Sequence, residues 1–219
     1  MSNQNTQVDR LINRIKNNRA TAILIVFGVS IIAISSFTDA THKIFIQIQE
    51  FLSNRATIVT LRREPQTLSS DNVKALLVKY GFYDKRWNAS GKGIAHRFES
   101  QIKGNVVIVH DAATDLMWQK SGSSNPMKFT DAEQYVGRLN AEKFAGYNDW
   151  HLPTVEEAMS LMEPQAYDSL HIDPEFERGA DIMWTSDRAT DGRIWMLYFY
   201  NGIISLEPGS FNAWVRVTR

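Results

Sequence analysis

The sequence predicts an α+β fold preceded by one membrane-spanning helix. Three features support this prediction: an uncharged apolar segment near the N-terminus, two helices with recognisable capping residues, and several short aromatic strands towards the C-terminus. An order of strand, helix, helix and then antiparallel strands is typical of α+β proteins. The 219 residues suffice for one domain with an appendage.

Composition narrows the classes of function. Lys and Arg number 24, as do Asp and Glu, and the net charge of zero gives no indication of a nucleic acid partner. A hydrophobic content of 43% is enough for a core. The sequence contains no cysteine, which excludes disulfides, zinc–thiolate sites and thiol catalysis.

The uncharged segment Ala20–Phe37 predicts a membrane span. Its 18 residues meet the lower edge of the roughly 17–25 residues that a spanning helix needs. Residues 1–19 carry four basic side chains, so this basic leader is predicted to stay in the cytoplasm and the remainder to lie outside it, in a single-pass protein of the cell membrane. A cleaved signal peptide and a buried core helix are the alternatives. Digestion of an epitope at Arg219 only in permeabilised cells would contradict this orientation.

The chain after the span is predicted to form two connecting segments. Residues 38–63 form a stalk at the membrane surface, and residues 64–104 form a helix-plus-loop subdomain. Its helix should begin after Ser69 or Ser70, since serine suits an N-cap, and should stop at Gly81.

Residues 105–219 are predicted to form the main domain. Its two helices are predicted to open at Thr130–Glu133 and Thr154–Glu157, which have the spacing of a capping box, and the second helix to begin at Val155. In that motif a threonine and a glutamate three residues later satisfy each other's backbone N–H groups. The first helix should extend to about Lys143 and the second to Met162.

Runs of β-branched and aromatic residues predict the strands. Asn201-Gly202 is the strongest short hairpin signal in the sequence. Alternation along Ile194–Tyr200 leaves both faces apolar, so either the sheet is covered on both sides or one face exposes an aromatic patch. The predicted strands are Ile58–Leu61, Val106–Val109, Leu116–Trp118, Ile182–Ser186, Ile194–Tyr200, Ile203–Leu206 and Ala213–Val217.

The segment Gly146–Glu157 joins the two helices of the main domain. Trp150 is predicted to pack in the core while Asp149 closes the turn, and Pro153 favours an extended backbone before the second helix. A metal role for His151 would need further ligands, and the other histidines lack helical spacing. The segment is therefore predicted to be structural.

These motifs, in this order, resemble the Lcl C-terminal domain family, named for the end domain of a bacterial collagen-like adhesin. The family reads Thr-Gly-Leu-Met-Trp and Asp-Trp-Arg-Leu-Pro-Thr at two places, where Asp115 and His151 replace the Gly and the Arg. The resemblance covers residues 105–219. The matching residues are Asp111–Gln119, Ala132–Asn140, Gly146–Leu161, Met183–Ser186, Ile194-Trp195, Gly202 and Val215-Arg216.

The resemblance implies a C-type-lectin-like fold, in which two helices flank an antiparallel sheet and the first and last strands pair. It also implies a ligand-binding module, because binding to polyanionic sugars is known for the adhesin type. It supplies no agreed set of catalytic residues. Fold does not determine function, so the ligand is left open as a glycan or a protein.

Two loops carry oxygen atoms in patterns that resemble calcium sites. The first lacks the closing glutamate of an EF-hand, because Ala95 occupies that position. The second lacks the residue triplets with which sugar-binding lectins of this fold hold calcium. The sequence therefore predicts no metal site and no cofactor. The residues concerned are Asp84, Asn88 and Ser90 in the first loop, and Asp181, Asp187 and Asp191 in the second.

Loops between the late strands are predicted to contact the ligand, which favours an extracytoplasmic binding module. One alternative is an enzyme in which Asp149 and Glu156 or Glu157 act as acid and base. Another is a structural protein whose stalk drives homo-oligomers. The predicted ligand-binding residues are Arg188, Asp191, Arg193, Trp195, Tyr198 and Asn212, and the predicted structural residues are Trp118, Asp149, Trp150, Pro153 and Trp184.

Overall fold

The computed structural model describes residues 58–219, which lie in one compact unit. No helix in this range is long and apolar enough to cross a membrane. The basic leader of residues 1–19, the span at Ala20–Phe37 and most of the stalk are predictions that lie outside the described residues.

The described residues form an α+β fold of two three-stranded antiparallel sheets with helices. The strand orders are β1-β2-β3 and β4-β5-β6, so neighbours in sequence are neighbours in each sheet. In chain order the elements are α1 (Ser70–Tyr80), β1 (Phe98–Lys103), β2 (Val106–Asp111), β3 (Leu116–Gln119), α2 (Phe129–Ala141), a 3₁₀ turn (Phe144–Gly146), α3 (Val155–Ser160), β4 (Ile182–Arg188), β5 (Ile194–Tyr198) and β6 (Ile203–Glu207).

Helix α1 has the start and stop that its sequence predicts. The Ser69 side chain accepts a hydrogen bond from the backbone N–H of Asn72, whose own side chain accepts one from the Ser69 N–H. Gly81 ends the helix with a φ of 68°, a left-handed conformation that glycine adopts without steric cost.

Helix α2 begins two residues earlier than predicted, and Thr130 is not its cap. Lys128 is the N-cap and makes no side-chain capping bond. The ring of Phe129 packs edge-on against Trp184, 5.4 Å between centroids, and its N–H donates to the carbonyl of Gly209. These tertiary contacts place Phe129 inside the helix, so the predicted capping box at Thr130 does not form.

Helix α3 begins with the predicted capping box at Thr154 and Glu157. The hydroxyl of Thr154 accepts from the Glu157 N–H at 3.2 Å and donates to the Arg62 carbonyl at 2.7 Å. The helix ends at Ser160, two residues before the predicted end.

Replacing Thr154 with alanine is expected to lower the free energy of unfolding by about 1–2 kcal/mol, because the cap of α3 is lost. Thr154→Ser retains the hydroxyl and should recover most of that loss. Thr130→Ala is the matched control and should change stability by less than about 0.5 kcal/mol. Urea unfolding followed by circular dichroism measures all three, and equal losses at the two threonines would contradict this account.

Strand β1 was not predicted, and the predicted strand at Ile58–Leu61 does not form. Strand β1 pairs with β2 from Phe98↔Asp111 to Lys103↔Val106. Its exposed polar residues hide the strand pattern because it lies at a sheet edge and carries little core surface. The boundary predicted at 104/105 falls in the turn of this hairpin, so the sequence on both sides belongs to one fold.

Ala213–Val217 does not form the predicted continuous strand. Trp214 makes a parallel bridge to β4, whereas Thr218 makes antiparallel bridges to Trp118 of β3 and to His151. Because the C-terminal segment changes partner along its length, it links the two sheets and no ladder extends along it.

Two clusters of buried side chains fill the fold. The first includes Leu77 of α1, Met159 of α3 and Trp195 of β5, and the second includes Trp150 and Trp184. Residues before position 104 supply part of the first cluster, so they share a core with the main domain. All five residues of β5 are buried, which shows that the central strand of its sheet is covered on both faces.

Candidate functional site

The segment from Arg62 to Leu68 lies along strand β4. Thr67 forms a parallel bridge with Arg188, and the Leu68 N–H donates to the Arg188 carbonyl at 2.8 Å. The Arg188 N–H donates in turn to the Gln66 carbonyl at 3.1 Å. This pairing brings Arg62 and the residues after it beside the start of α3.

Asp187 is a fully buried carboxylate at the contact between the segment Arg62–Leu68 and the start of α3. It accepts from the Arg62 guanidinium at 2.9 and 2.6 Å, from the Gln66 N–H at 2.6 Å and from the Val155 N–H at 2.7 Å. Both Asp187 oxygens are therefore occupied by donors from two separate segments of the chain, Arg62–Leu68 and the start of α3.

Arg62 bridges Asp187 to a second carboxylate, Glu156, with a 3.0 Å bond from its Nε. Burial alone would lower the pKa of Arg62, but the hydrogen bonds to Asp187 and Glu156 outweigh burial and raise it. The guanidinium is therefore permanently charged, and the cluster holds one cation between two anions.

The predicted structural segment Gly146–Glu157 packs directly beside this cluster. The Trp150 indole N–H donates to the Phe144 carbonyl at 2.9 Å, and its backbone makes two 2.8 Å bonds with the Asn140 amide. Trp150 is 2% exposed, so it anchors the segment in the core.

His151 projects from this segment towards α3. Its backbone pairs with Thr218, and its Nε2 lies 3.1 Å from Oε1 of the buried Glu157. The side chain of His151 is 28% exposed. The ring therefore contacts a buried carboxylate through Nε2, and part of the ring is exposed to solvent.

Asp149 is exposed and forms an ion pair with Arg219 at the C-terminus. Its carboxylate accepts from Arg219 at 2.7 and 3.0 Å, and the Arg219 guanidinium lies 3.9 Å from the centroid of Tyr147. The hydrogen bond and charge of Arg219 lower the pKa of Asp149 against a smaller opposing effect of burial.

A groove of about 470 Å³ opens above these residues. Helix α2 supplies one wall, the segment after Arg62 supplies another, and His151 with β4 completes the lining. The lining residues are Arg63, Glu64, Pro65, Glu133, Val136, Asp149, His151, Leu152 and Ser186.

The groove has an apolar floor and a charged rim. Leu152 is buried and Val136 half-buried, whereas Arg63, Glu64 and Glu133 are exposed. Glu133 lies 3.5 Å from Arg188, a weak ion pair because both side chains are about half exposed to water. A ligand can therefore compete for these charges at small cost.

The residues predicted to bind ligand differ in their surroundings. Arg188 reaches the groove rim through Glu133, whereas Asp191 and Arg193 pair with each other at 2.8 Å in the turn between β4 and β5. Asn212 is exposed.

Trp195 and Tyr198 are core residues and not surface contacts. Trp195 is 1% exposed and its indole N–H donates to the Leu68 carbonyl at 3.2 Å. The Tyr198 hydroxyl donates to Glu207 at 2.7 Å, and burial together with this bond raises the pKa of Tyr198. The exposed aromatic patch considered from the sequence is absent from β5, because the segment around Leu68 covers one face of its sheet.

The residues predicted to be structural are mostly buried. Trp118, Trp150 and Trp184 have at most 2% exposure, and Pro153 is buried as well. Asp149 differs, since it lies at the groove and is ion-paired. The acids considered as calcium ligands do not converge: Asp187 binds Arg62 and Asp191 binds Arg193. Within residues 58–219, no three His, Asp or Glu side chains gather as a metal site.

The sequence did not predict the role of the segment at Arg62–Pro65. Arg62 and Asp187 are 125 positions apart, and neither belongs to a local motif that points to the other. The one sequence feature that pointed to this site was the capping box of α3. It places Glu156 and Glu157 in the first turn of that helix.

A comparison with protein families identifies the domain at the C-terminal half of the chain. The model described as the Lcl C-terminal domain matches residues 107–219, which is 113 of the 219 residues. The match begins one residue into strand β2 and extends to the C-terminus. No curated protein matches the chain.

Proposed function

Because the chain belongs to the Lcl C-terminal domain family, we propose that it is a membrane-anchored binding module with a C-type-lectin-like fold. In this proposal Ala20–Phe37 spans the cell membrane, and residues 58–219 lie outside the cytoplasm and recognise a glycan or a protein. The groove beside His151 is the observation that carries the proposal, since four separate segments build a cavity of ligand size there.

Two features support the C-type-lectin-like assignment. Antiparallel sheets with helices beside them match the architecture that the family resemblance implies. The C-terminal segment also returns across the fold to pair with β3 through Thr218 and Trp118.

The dimensions and chemistry of the groove support ligand binding. Its volume of about 470 Å³ lies within the range of roughly 300–1,000 Å³ that is typical of ligand sites. The apolar floor at Val136 and Leu152 can cover the apolar face of a sugar or a side chain. The charged rim at Arg63 and Glu64 can bond to hydroxyl or amide groups.

Filling the groove is expected to weaken ligand binding at least about tenfold, equivalent to about 1.4 kcal/mol. Residues 58–219, which belong to one compact unit, would be applied to glycan and surface-protein arrays, and retained ligands titrated by calorimetry. Val136→Trp fills the groove from α2. Arg193→Ala is the control, because it alters the turn between β4 and β5 and leaves the groove intact.

Two outcomes of that experiment would contradict the proposal. Binding that survives Val136→Trp but is lost in Arg193→Ala would move the site to the late loops. If the folded protein binds nothing on broad glycan and protein arrays, that result would count against a binding module altogether.

One arrangement favours the enzyme alternative. The buried Glu157 carboxylate holds the His151 ring on the groove wall, as an acid–base pair requires. The other acids of that alternative, Asp149 and Glu156, are each engaged by an arginine. Mass spectrometry of the array ligands after incubation distinguishes the two functions. An altered product that disappears in Glu157→Gln would replace the binding module with an enzyme.

A further inference from the structure

Arg216 is an arginine with no exposed surface in the C-terminal segment. Its Nη2 donates to the backbone carbonyl of Glu177 at 2.8 Å, and the guanidinium lies 4.7 Å from the centroid of the Phe176 ring. These contacts give Nη2 a hydrogen-bond acceptor and place an aromatic ring against the guanidinium. The groove proposed as the ligand site has a different set of lining residues.

The remaining donors of Arg216 are buried and unpaired. Nε and Nη1 have no hydrogen-bond partner among residues 58–219, and no carboxylate of that range forms an ion pair with this guanidinium. Buried charges in proteins are normally paired, because removing an ion from water costs far more than a single neutral contact returns. Cation–π contact with Phe176 offsets part of this cost.

Arg216 nevertheless carries its charge at neutral pH. Burial lowers the pKa of Arg216 to about 9, and the charge of Glu177 opposes this effect only in part. A pKa near 9 is still above the pH of most cellular compartments. The Arg216 guanidinium is therefore a buried cation.

A third unpaired donor lies on β3, which bridges to the C-terminal segment that contains Arg216. Trp118 Nε1 is buried without a partner among the described residues. The antiparallel bridge between Trp118 and Thr218 makes Arg216 the diagonal neighbour of Trp118. Diagonal neighbours are separated by about 7–8 Å, which is within reach of long and aromatic side chains.

We propose that Arg216 and Trp118 bind a small monovalent anion of the halide class, with chloride as the physiological occupant. The donors are all N–H groups, so their complement is an acceptor. The uncompensated positive charge favours an anion over a neutral water molecule. Complete burial excludes a large or solvated ion, since Arg216 has no exposed surface and Phe176 packs against its guanidinium.

The experiment compares chloride with gluconate at constant ionic strength, using the full chain in detergent. Gluconate is too large for a buried site. An anion that binds only the folded state raises the unfolding midpoint with a saturating dependence on its concentration. We expect a rise of about 5–10 °C at one hundred times the dissociation constant of chloride. Bromide should reproduce the effect.

Matched variants locate the effect. Arg216→Met removes the cation and should abolish the difference between chloride and gluconate, whereas Arg193→Met removes an exposed arginine and should retain it. If Arg216→Met does not fold, crystals grown in bromide decide the location. An anomalous peak within hydrogen-bond distance of Arg216 Nε or Nη1 supports the site. Equal midpoints in chloride and gluconate for the unaltered chain, or bromide peaks only at the surface, overturn it.

Discussion

Replacing Asp187 with asparagine is expected to lower the free energy of unfolding by about 3–5 kcal/mol, because it removes one member of a buried ion pair. The change leaves the Arg62 guanidinium with a single carboxylate, Glu156. It also weakens the acceptors for the N–H groups of Gln66 and Val155, which Asp187 holds at 2.6 and 2.7 Å. Urea unfolding of residues 58–219 measures the loss.

The control for this prediction is Asp191→Asn. Asp191 also pairs with an arginine, at 2.8 Å from Arg193, but both side chains are half exposed. Exposed pairs contribute little to stability because water screens both charges, so the control should unfold almost as the unaltered protein does. If Asp187→Asn were equally mild, the buried cluster would not be what holds Arg62–Leu68 against β4.

The buried pair of His96 and Asp111 is expected to make stability depend on pH. His96 Nδ1 lies 2.7 Å from Asp111 Oδ2, and Nε2 lies 2.6 Å from the carbonyl oxygen of Ser160. Asp111 also accepts from the Thr114 hydroxyl and from two backbone N–H groups, so its carboxylate is ionised. Because both ring nitrogens face acceptors, both must donate, and His96 is an imidazolium.

Opposite shifts of the two pKa values set the pH window. Burial alone would lower the pKa of His96, but Asp111 outweighs burial and raises it above 6.5. Burial alone would raise the pKa of Asp111, but His96 and Thr114 outweigh it and hold the pKa far below 3.8. The His96 contribution is complete below pH 6.5 and is lost as pH rises through its raised pKa. The Asp111 contribution is present above pH 3.8 and is lost as pH falls.

Urea unfolding between pH 4 and pH 10 tests this window. Stability should decline on the alkaline side in the unaltered protein, and His96→Gln should remove that decline at a cost of about 1–3 kcal/mol near pH 6. His110→Gln is the control, because His110 pairs with an exposed aspartate and should leave the profile unchanged. An alkaline decline that persists in His96→Gln would assign it to other groups.

Local signals in the sequence predicted local structure. The caps at Ser69 and Thr154, the stop at Gly81 and the hairpin at Asn201-Gly202 each depend on hydrogen bonds or backbone angles within about four residues. Such signals are complete in the sequence itself, so these predictions were confirmed.

Predictions failed where distant contacts decided the outcome. Helix α2 begins at Phe129 because the ring packs against Trp184, and Thr130 consequently does not act as a cap. Strand β1 escaped prediction because its polar residues contribute little to the core and are held by pairing with β2. In both cases the interaction that decides the structure is made with a segment distant in sequence, which the residues of the element itself do not reveal.

The candidate site was predicted only in part. Asp149 and His151 were singled out from the motif that joins the helices, and both line the groove. The other wall was assigned elsewhere, Arg63 to the end of the stalk and Glu64 to the start of the helix-plus-loop subdomain. Trp195 was predicted to contact the ligand, because an apolar strand pattern cannot show that another segment covers the strand.

The sequence by itself determined the helices α1 and α3, the hairpin of β5 and β6, and the family to which residues 107–219 belong. Only the tertiary structure decided which polar groups meet. It pairs Arg62 with Asp187 and leaves Arg216 buried without a carboxylate. The physical reason is range: capping and turn energies act over a few residues, whereas burial and ion pairing depend on segments that folding brings together from opposite ends of the chain.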